Sequence, residues 1–222
     1  MKSSSDIPVW DLPTRLFHWL LVLLVAGAWL SYKFGDVTMT WHKWNGYAVL
    51  TLLLFRLLWG IIGSSTARFT DFVRGPFTVL GYLRGGARAP SLGHNPAGGW
   101  SVLAMLGVLG AQAGAGLFTT DDIIVSGPLN FLVSSATADT LSSIHRLGYY
   151  ILLGLVALHL AALVFHRLAH GENLVRAMIT GRKRTDHVPR GARAVMRPLW
   201  LAALCLGLAA AIVWFGISVW RW

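Results

Sequence analysis

The sequence predicts an all-α membrane protein, and three observations lead to that prediction. Hydrophobic residues make up 55% of the 222 residues, and the mean hydropathy of +0.58 is far above that of an ordinary soluble domain. Five apolar stretches are long enough to cross roughly 30 Å of hydrocarbon. These stretches contain few charged residues, Arg56 being the clearest exception.

Each apolar stretch is expected to form one transmembrane helix. The first is not a convincing signal peptide, because fifteen residues precede it, including Asp6 and Asp11, and no Ala-x-Ala cleavage site follows it. The fourth begins with polar Ser142 and Ser143, so its helix is expected to extend beyond the hydrocarbon. In chain order the predicted spans are Leu16 to Tyr32, Trp44 to Ile62, Trp100 to Phe118, Leu141 to Phe165 and Leu199 to Trp220.

The segments between the spans contain no predicted soluble domain. Phe77 to Leu83 is apolar but too short to cross, and it is expected to lie at the membrane interface. Thr119 to Asp139 is expected to cap the bundle, with Gly127-Pro128 marking a turn. The last span has no histidine and few polar groups, so we expect it to pack outside a four-helix core. We therefore divide the chain into a four-helix membrane domain, residues 1–184, and a basic linker with an additional helix, residues 185–222.

The net charge of +10 follows the predicted membrane topology. With five spans and a cytoplasmic N-terminus, the cytoplasmic segments (1–15, 63–99 and 166–197) hold fourteen Lys and Arg, whereas the external segments hold four. This asymmetry is the positive-inside rule, and it places the C-terminus on the external side. Basic residues such as Arg182 and Lys183 are then expected to touch anionic lipid rather than nucleic acid.

The chain contains a single cysteine, Cys205. One cysteine cannot form an intramolecular disulfide, a four-cysteine iron–sulfur site or the CxxCH motif of covalent haem attachment. Any redox group must therefore be bound non-covalently by other side chains.

Two histidines lie fourteen residues apart in the fourth span, His145 and His159. At about 100° per residue, fourteen steps return a helix almost to its starting face, and the rise separates the two side chains by roughly 21 Å. One face of one helix therefore carries an imidazole near each bilayer surface. A histidine in hydrocarbon is costly and is by default a functional-site hypothesis.

The predicted topology gives each histidine a depth, and depth pairs them. His18 lies near the cytoplasmic surface with His159, and His42 lies near the external surface with His145. Two such pairs are what two six-coordinate b-type haems need, each iron taking one neutral imidazole from either side. A structural hydrogen bond is the simpler explanation for a lone membrane histidine. Four at matched depths favour two haems, while a proton or metal pathway stays open.

Two glycines lie one helical turn after a proposed ligand. Gly46 follows His42 by four positions and Gly148 follows His145 by three. The missing side chains would let a flat macrocycle lie against the helix. Glycine is also common packing material between membrane helices, so both explanations stay open.

Four cations lie close enough to the proposed ligands to pair with haem propionates. Arg15, Lys43 and Arg146 flank proposed ligands, although simple anchoring at the membrane boundary explains Arg15 and Lys43 equally well. Arg56 is more informative, because a charge inside a span needs a partner. It follows His42 by fourteen residues and lies at the depth of the cytoplasmic pair, where a propionate would satisfy it.

The other histidines are weaker candidates. His94 lies in a Gly-His-Asn-Pro turn before the third span, where a local hydrogen bond is the simple explanation and a propionate or partner contact the alternative. His166 follows His159 by seven residues and could be an alternative ligand, although its depth suits the cytoplasmic pair less well. His170 and His187 lie in the basic loop and are expected to be solvated.

These residues resemble bacterial cytochrome b561 proteins, especially the branch that includes the b-type cytochrome subunits of nickel–iron hydrogenases. Together the motifs cover most of residues 9 to 184. They are Arg15-Leu16-Phe17-His18-Trp19, His42-Lys43-Trp44-Asn45-Gly46-Tyr47, Gly93-His94-Asn95-Pro96, His145-Arg146-Leu147-Gly148 with His159, Gly171-Glu172-Asn173-Leu174 and Met178-Ile179-Thr180-Gly181.

The resemblance implies a four-helix bundle in the bacterial inner membrane, with two bis-histidine b haems that move electrons between quinone and a soluble or membrane-bound redox protein. Carried over by position, the ligands are His18, His42, His145 and His159. The fifth span departs from the family pattern and favours a stand-alone or differently partnered relative. Whether the chain acts as a quinol oxidoreductase or as a subunit of one stays open, as does an oligomer. A histidine-lined transporter and a passive membrane anchor are the alternative functions.

Overall fold

The computed structural model describes residues 6–85 and 90–219, and these are mostly helical. Within them, five helices are long and apolar enough to cross a membrane, as the sequence predicts. They are α1 (Leu12–Phe34), α2 (Thr40–Ile62), α5 (Pro96–Gly116), α6 (Ser135–His170) and α8 (Leu199–Ser218).

Shorter elements connect the long helices. The predicted interfacial segment forms a helix of its own, with none of its residues buried. The short elements are β1 (Asp6–Pro8), α3 (Phe69–Phe72), α4 (Pro76–Leu83), α7 (Leu174–Thr180), β2 (Arg182–Arg184) and the 3₁₀ turns Asn130–Leu132 and Thr185–His187.

The helix ends differ from the predicted spans because capping, rather than apolar composition, decides where a helix stops. The fourth long helix has 36 residues, and its start at Ser135 confirms that it extends beyond its apolar stretch. Pro96 opens α5, a position at which proline is well tolerated. The predicted end of the last span, Trp220, lies outside the described residues.

The chain divides into two compact units. One contains Leu57–Ala104, Leu155–Ala202 and the N-terminal segment up to Leu16. The other contains Phe17–Arg56, Met105–Gly154 and the segment from Ala203 onwards. The long helices contribute residues to both.

In the first unit, the N-terminal segment is fastened to the segment that follows α7. Strands β1 and β2 pair antiparallel, and the backbone N–H groups of Val9 and Trp10 donate to the Gly181 carbonyl at 2.8 and 3.0 Å. Gly181 ends α7 with φ of 79°, a left-handed conformation that glycine adopts without strain. Val9, Trp10 and Ala177 are buried together there. The sequence showed no signal for this sheet, because its strands are only three residues long.

Asp11 joins the start of α1 to α2 within the same unit. Its Oδ1 accepts the backbone N–H of Thr14 at 2.8 Å, which is the hydrogen bond of a helix N-cap. Its Oδ2 accepts the indole N–H of Trp59 at 3.0 Å, and Trp59 is fully buried. One carboxylate therefore accepts hydrogen bonds from two donors, one at the start of α1 and one in α2.

In the second unit, small residues allow α1 and α2 to approach closely. A side chain at Gly27 would place its Cβ 2.6 Å from the amide nitrogen of Asn45. Asp36 caps α2, accepting the N–H groups of Thr40 and Trp41 and the hydroxyl of Thr38. These donors hold the pKa of Asp36 below its usual range.

The last long helix buries one narrow face. Cys205, Ala209 and Ile217 are buried at helical spacing, whereas Leu204 and Trp214 are exposed. Most of its surface is thus free to face lipid. This pattern fits a helix packed on the outside of its unit.

Candidate functional site

Two of the predicted ligand histidines face each other in the second unit. His42 lies in the first turn of α2 and His145 lies in α6, and their ring centroids are 6.1 Å apart. The ring planes are inclined at 87°. Both side chains are half-buried. The structure therefore brings this predicted pair together from two helices that are distant in sequence.

Backbone carbonyls hold both rings through Nδ1. His42 Nδ1 lies 3.0 Å from the Ala28 carbonyl oxygen in α1, and His145 Nδ1 lies 2.8 Å from the Gln112 carbonyl oxygen in α5. A carbonyl can only accept, so each Nδ1 carries a proton, as in the Nδ1–H tautomer of imidazole. The lone pair is then on Nε2. Neutral imidazole with a free Nε2 is the form that binds a metal.

The spacing of the two rings suits one iron between them. An imidazole nitrogen binds a first-row metal at about 2 Å and lies about 1 Å from its ring centre, so two axial imidazoles need centroids roughly 6 Å apart. The observed 6.1 Å meets this requirement. In the described part of the chain, no three His, Cys, Asp or Glu side chains gather into a metal cluster. A haem needs only the two axial ligands, because its macrocycle supplies the others.

Open space lies beside Gly46, one turn after His42, and beside His145. Nothing lies within 4 Å of where a Cβ on Gly46 would stand. A cavity of about 160 Å³ adjoins His145 on the loop side, with Arg146 and Asp121 in its lining. Arg146 is exposed and donates to the hydroxyl of Ser143 at 3.2 Å. The residues present therefore fit a b-type haem.

A family comparison agrees with this geometry. The sequence model of prokaryotic cytochrome b561 matches residues 9–181, more than three quarters of the chain. The chain belongs to the prokaryotic cytochrome b561 family. No curated protein matches the chain significantly.

Membership in the cytochrome b561 family implies b-type haem binding and transmembrane electron transfer. The match ends at Gly181, so α8 lies beyond the part of this cytochrome that the family describes. The resemblance in the sequence motifs is thereby confirmed, and the fifth helix is an addition to the matched region.

The remaining predicted ligands of the cytochrome are in place on their helices. His18 lies in α1 and His159 in α6, and both are half-buried. The two belong to different compact units. Their pairing stays a prediction.

The cations predicted for propionates have different environments. Arg56 is buried in α2, with 2% of its surface exposed. Arg15 donates to the carbonyl of Ile179 at the end of α7. Lys43 lies 3.4 Å from the Ser126 carbonyl. Their contact with propionates stays a prediction.

The second predicted glycine has a packing role in this cytochrome. A side chain at Gly148 would collide with the amide of Gln112 in α5. The Gln112 side chain would have to move to admit a Cβ, while the Gln112 backbone carbonyl lies 2.8 Å from His145 Nδ1. Its contact with a macrocycle stays a prediction.

Two histidines outside the proposed pairs, His94 and His166, are held by other contacts. His94 packs between Trp10 and Phe72, with ring centroids 4.8 and 4.5 Å away. His166 has its Nε2 3.2 Å from the Asn95 amide nitrogen and its Nδ1 3.6 Å from the Glu172 carboxylate.

The expectation that His170 lies in the basic loop is wrong, and His187 is partly exposed. His170 is the last residue of α6 and packs on His166 at 5.1 Å between ring centroids, because the helix continues past its apolar stretch. His187 is half-buried and lies 3.8 Å from Asp186.

The sequence did not reveal what orients the two facing rings. The acceptors at Ala28 and Gln112 are backbone carbonyls, and every residue has one, so no residue type marks them. Gly116 was also missed. A Cβ there would stand 2.9 Å from Cε1 of His145. The small residues that end α5, from Ala113 to Gly116, were the available signal.

Proposed function

We propose that this cytochrome carries electrons across the membrane through two bis-histidine b haems, between the quinone pool and a protein redox partner. The observation that supports this most directly is the pair of imidazole rings at 6.1 Å between centroids, each oriented by a backbone carbonyl. Bound haem iron supplies one-electron chemistry by cycling between its ferrous and ferric states.

The chain's own residues have three tasks in this proposal. His42 and His145 hold one haem, and His18 and His159 hold the other. The carbonyls of Ala28 and Gln112 keep the first pair of rings in the metal-binding tautomer. Half-burial of all four rings limits the access of water, which tunes the potential of the iron.

Four cations are proposed to hold the propionates. Arg146 and Lys43 lie near the facing pair, whereas Arg15 and Arg56 suit the second haem. Arg56 supports this assignment because it is a buried charge within an apolar helix. An anionic propionate would stabilise it there.

The proposed location is the bacterial inner membrane, with a cytoplasmic N-terminus and an external C-terminus. The support is the charge bias of fourteen Lys and Arg against four. In this orientation the facing pair lies near the external surface and the second pair near the cytoplasmic surface. Fusion of a compartment-sensitive reporter to each end tests the orientation directly.

The deciding experiment is a haem-to-protein ratio with a redox titration, followed by reduction with a quinol analogue. We expect two haems per chain, two components in the titration and reduction by quinol. One haem per chain would contradict the two-site arrangement. If reduced-minus-oxidised spectra showed no Soret and α-band difference, the haem hypothesis would be rejected, and a histidine-lined proton or ion transporter would be favoured. Haem that does not exchange electrons with quinol would favour a membrane anchor of a redox enzyme.

A further inference from the structure

A strongly basic cavity lies in the first unit, beside the end of α6, and neither of the facing histidines lines it. Its volume is about 210 Å³. It adjoins Gly171, Glu172 and Asn173, which follow α6. Six of its lining side chains are basic: Arg167, Arg176, Arg182, Lys183, Arg184 and His187. We call this feature the basic cavity.

Carboxylates neutralise three of these cations. Glu172 pairs with Lys183 at 2.8 Å, and Asp6 pairs with Arg176 at 2.7 Å. Asp186 pairs with Arg184 at 2.7 Å. Five permanently charged cations thus face three carboxylates, which leaves two positive charges.

The surplus charge belongs to Arg167 and Arg182. Arg167 donates to the Gly171 carbonyl at 3.5 Å, and Arg182 donates to the Asp6 carbonyl at 2.9 Å. Among the described residues, neither guanidinium has a carboxylate within ion-pair distance. Both keep donors for a further acceptor, and a guanidinium matches the geometry of phosphate oxygens.

The position of the basic cavity identifies the source of such an anion. Arg167 lies in the last turn of a membrane-length helix. The neighbouring Val164, Phe165 and Leu168 are exposed, Leu168 by 80%. An apolar helix surface therefore leads directly to the cationic side chains. This combination suits a molecule with a phosphate head and hydrocarbon tails.

We propose that the basic cavity binds the phosphate of an anionic membrane phospholipid. Arg167 and Arg182 contact the phosphate oxygens, and the acyl chains follow the exposed face of α6. Basic pockets at helix ends bind anionic headgroups in this way, since Coulomb attraction and charge-assisted hydrogen bonds act together. The ion pairs Lys183–Glu172 and Arg184–Asp186 fix the positions of other side chains that line the cavity. This proposal is independent of the haem assignment.

The test compares lipid binding by the full-length protein, purified in neutral detergent, and by two charge-matched double variants. Arg167→Gln with Arg182→Gln removes the two contacts. Arg190→Gln with Arg193→Gln removes the same charge from exposed positions of the adjoining linker. Native mass spectrometry measures binding of phosphatidylglycerol, of zwitterionic phosphatidylcholine and of inorganic phosphate.

We expect the unchanged protein to bind phosphatidylglycerol more tightly than phosphatidylcholine. The cavity variant should lose about tenfold in phosphatidylglycerol affinity, and the linker variant less than about twofold. Equal losses in both variants would reduce the effect to general surface charge and overturn the proposal. If the protein bound inorganic phosphate but not phosphatidylglycerol, the cavity would be a site for a free anion, and the proposal of a lipid ligand would be overturned.

Hydrogen exchange on the unchanged protein provides a second readout, should the cavity variant fail to fold. Phosphatidylglycerol, unlike phosphatidylcholine, should slow exchange of the backbone amides in residues 171–187. Equal protection by the two lipids would contradict recognition of the anionic head.

Discussion

His42 and His145 face each other at 6.1 Å between ring centroids, and each ring is fixed by a carbonyl from a third or fourth helix. Four helices thus contribute to one pair of proposed ligands, since Ala28 lies in α1 and Gln112 in α5. When a histidine binds a metal, the hydrogen bond made by its other ring nitrogen fixes the orientation and the tautomer of the imidazole. Helix packing, rather than a local sequence motif, therefore positions and orients the two proposed ligands.

Removal of either facing histidine should abolish the same haem. We expect His42→Ala and His145→Ala each to lower the haem content from two per chain to one, because a bis-histidine iron that loses one axial ligand is no longer held. Reduced-minus-oxidised spectra and a haem-to-protein ratio measure this. His187→Ala is the control and should retain both haems.

The second pair gives the complementary result. His18→Ala and His159→Ala should remove the other spectral component and leave that of His42 and His145. If His18→Ala and His42→Ala removed the same component, the depth assignment from charge topology would be wrong.

A methyl group on Gly116 should disturb the facing pair without removing a ligand. Its Cβ would stand 2.9 Å from Cε1 and 3.1 Å from Nδ1 of His145, so the ring must shift from its carbonyl partner. Overpacking of this kind costs about 1–3 kcal/mol. We expect Gly116→Ala to shift the redox midpoint of one component only. Gly107→Ala is the matched control, because Gly107 lies in the same helix, is exposed and has open space around it. A shift of equal size in both variants would count against the contact with His145.

The helices were predictable from sequence because apolar length is a local property, and candidate ligands could be named because titratable side chains are visible in the sequence. Spacing alone was enough to relate His145 to His159 on one helix. The environment of the rings was not predictable in this way. Gln112 acts through its backbone, and Gly116 acts through the side chain that it lacks. Both effects depend on how the helices pack. The identity of a residue does not reveal that packing.

The hydrogen bonds that hold the N-terminal segment could not be predicted from the sequence, for a related reason. Asp11 was read from the sequence only as a charge ahead of the first span. The structure shows that it accepts hydrogen bonds from both Thr14 and Trp59, residues three and 48 positions away. A long-range partner such as Trp59 leaves no periodic signal in a sequence.

Asp11→Ala should destabilise the first unit more than an ordinary cap replacement. The lost N-cap costs about 1 kcal/mol, and the lost hydrogen bond between Asp11 and the buried indole N–H of Trp59 costs about 1–3 kcal/mol more. The midpoint of thermal or detergent-induced unfolding measures this. Asp11→Asn should recover only part of the loss, since its single amide oxygen can replace one of the two carboxylate acceptors while its NH2 group faces the other donor. Asp139→Ala, at an exposed position of α6, should change stability by less than about 0.5 kcal/mol. Equal effects of the Asp11 and Asp139 variants would argue against the double hydrogen bond.

The cap of α2 should weaken in acid. The hydroxyl of Thr38 and the N–H groups of Thr40 and Trp41 keep the pKa of Asp36 below its usual range. Its stabilising effect is therefore fully present above the unfolded value of about 3.9 and is lost as pH falls through the lower folded value. Hydrogen exchange of the amides at 40–43, corrected for intrinsic rates, should speed up below about pH 4. Asp36→Asn should remove this pH dependence, and its persistence in the variant would assign it to another group.

The ion pair between Lys183 and Glu172 should contribute far more to stability than its neighbour between Arg184 and Asp186. Lys183 is 4% exposed and also donates to the carbonyls of Ser91 and Gly93 at 3.4 and 3.3 Å, whereas both partners of the other pair are about half exposed. Removing one partner of a buried pair leaves the other charge uncompensated, so we expect Lys183→Met to cost about 3 kcal/mol.

Arg184→Gln provides the comparison, with an expected loss below about 1 kcal/mol, because solvent screens an exposed pair. Unfolding midpoints of both variants give the difference. The double variant Lys183→Met with Glu172→Gln should recover part of the loss, since no charge is then left unpaired in the interior. If the double variant were as unstable as the sum of the single variants, Lys183 would act through its two backbone acceptors, and Glu172 would contribute little.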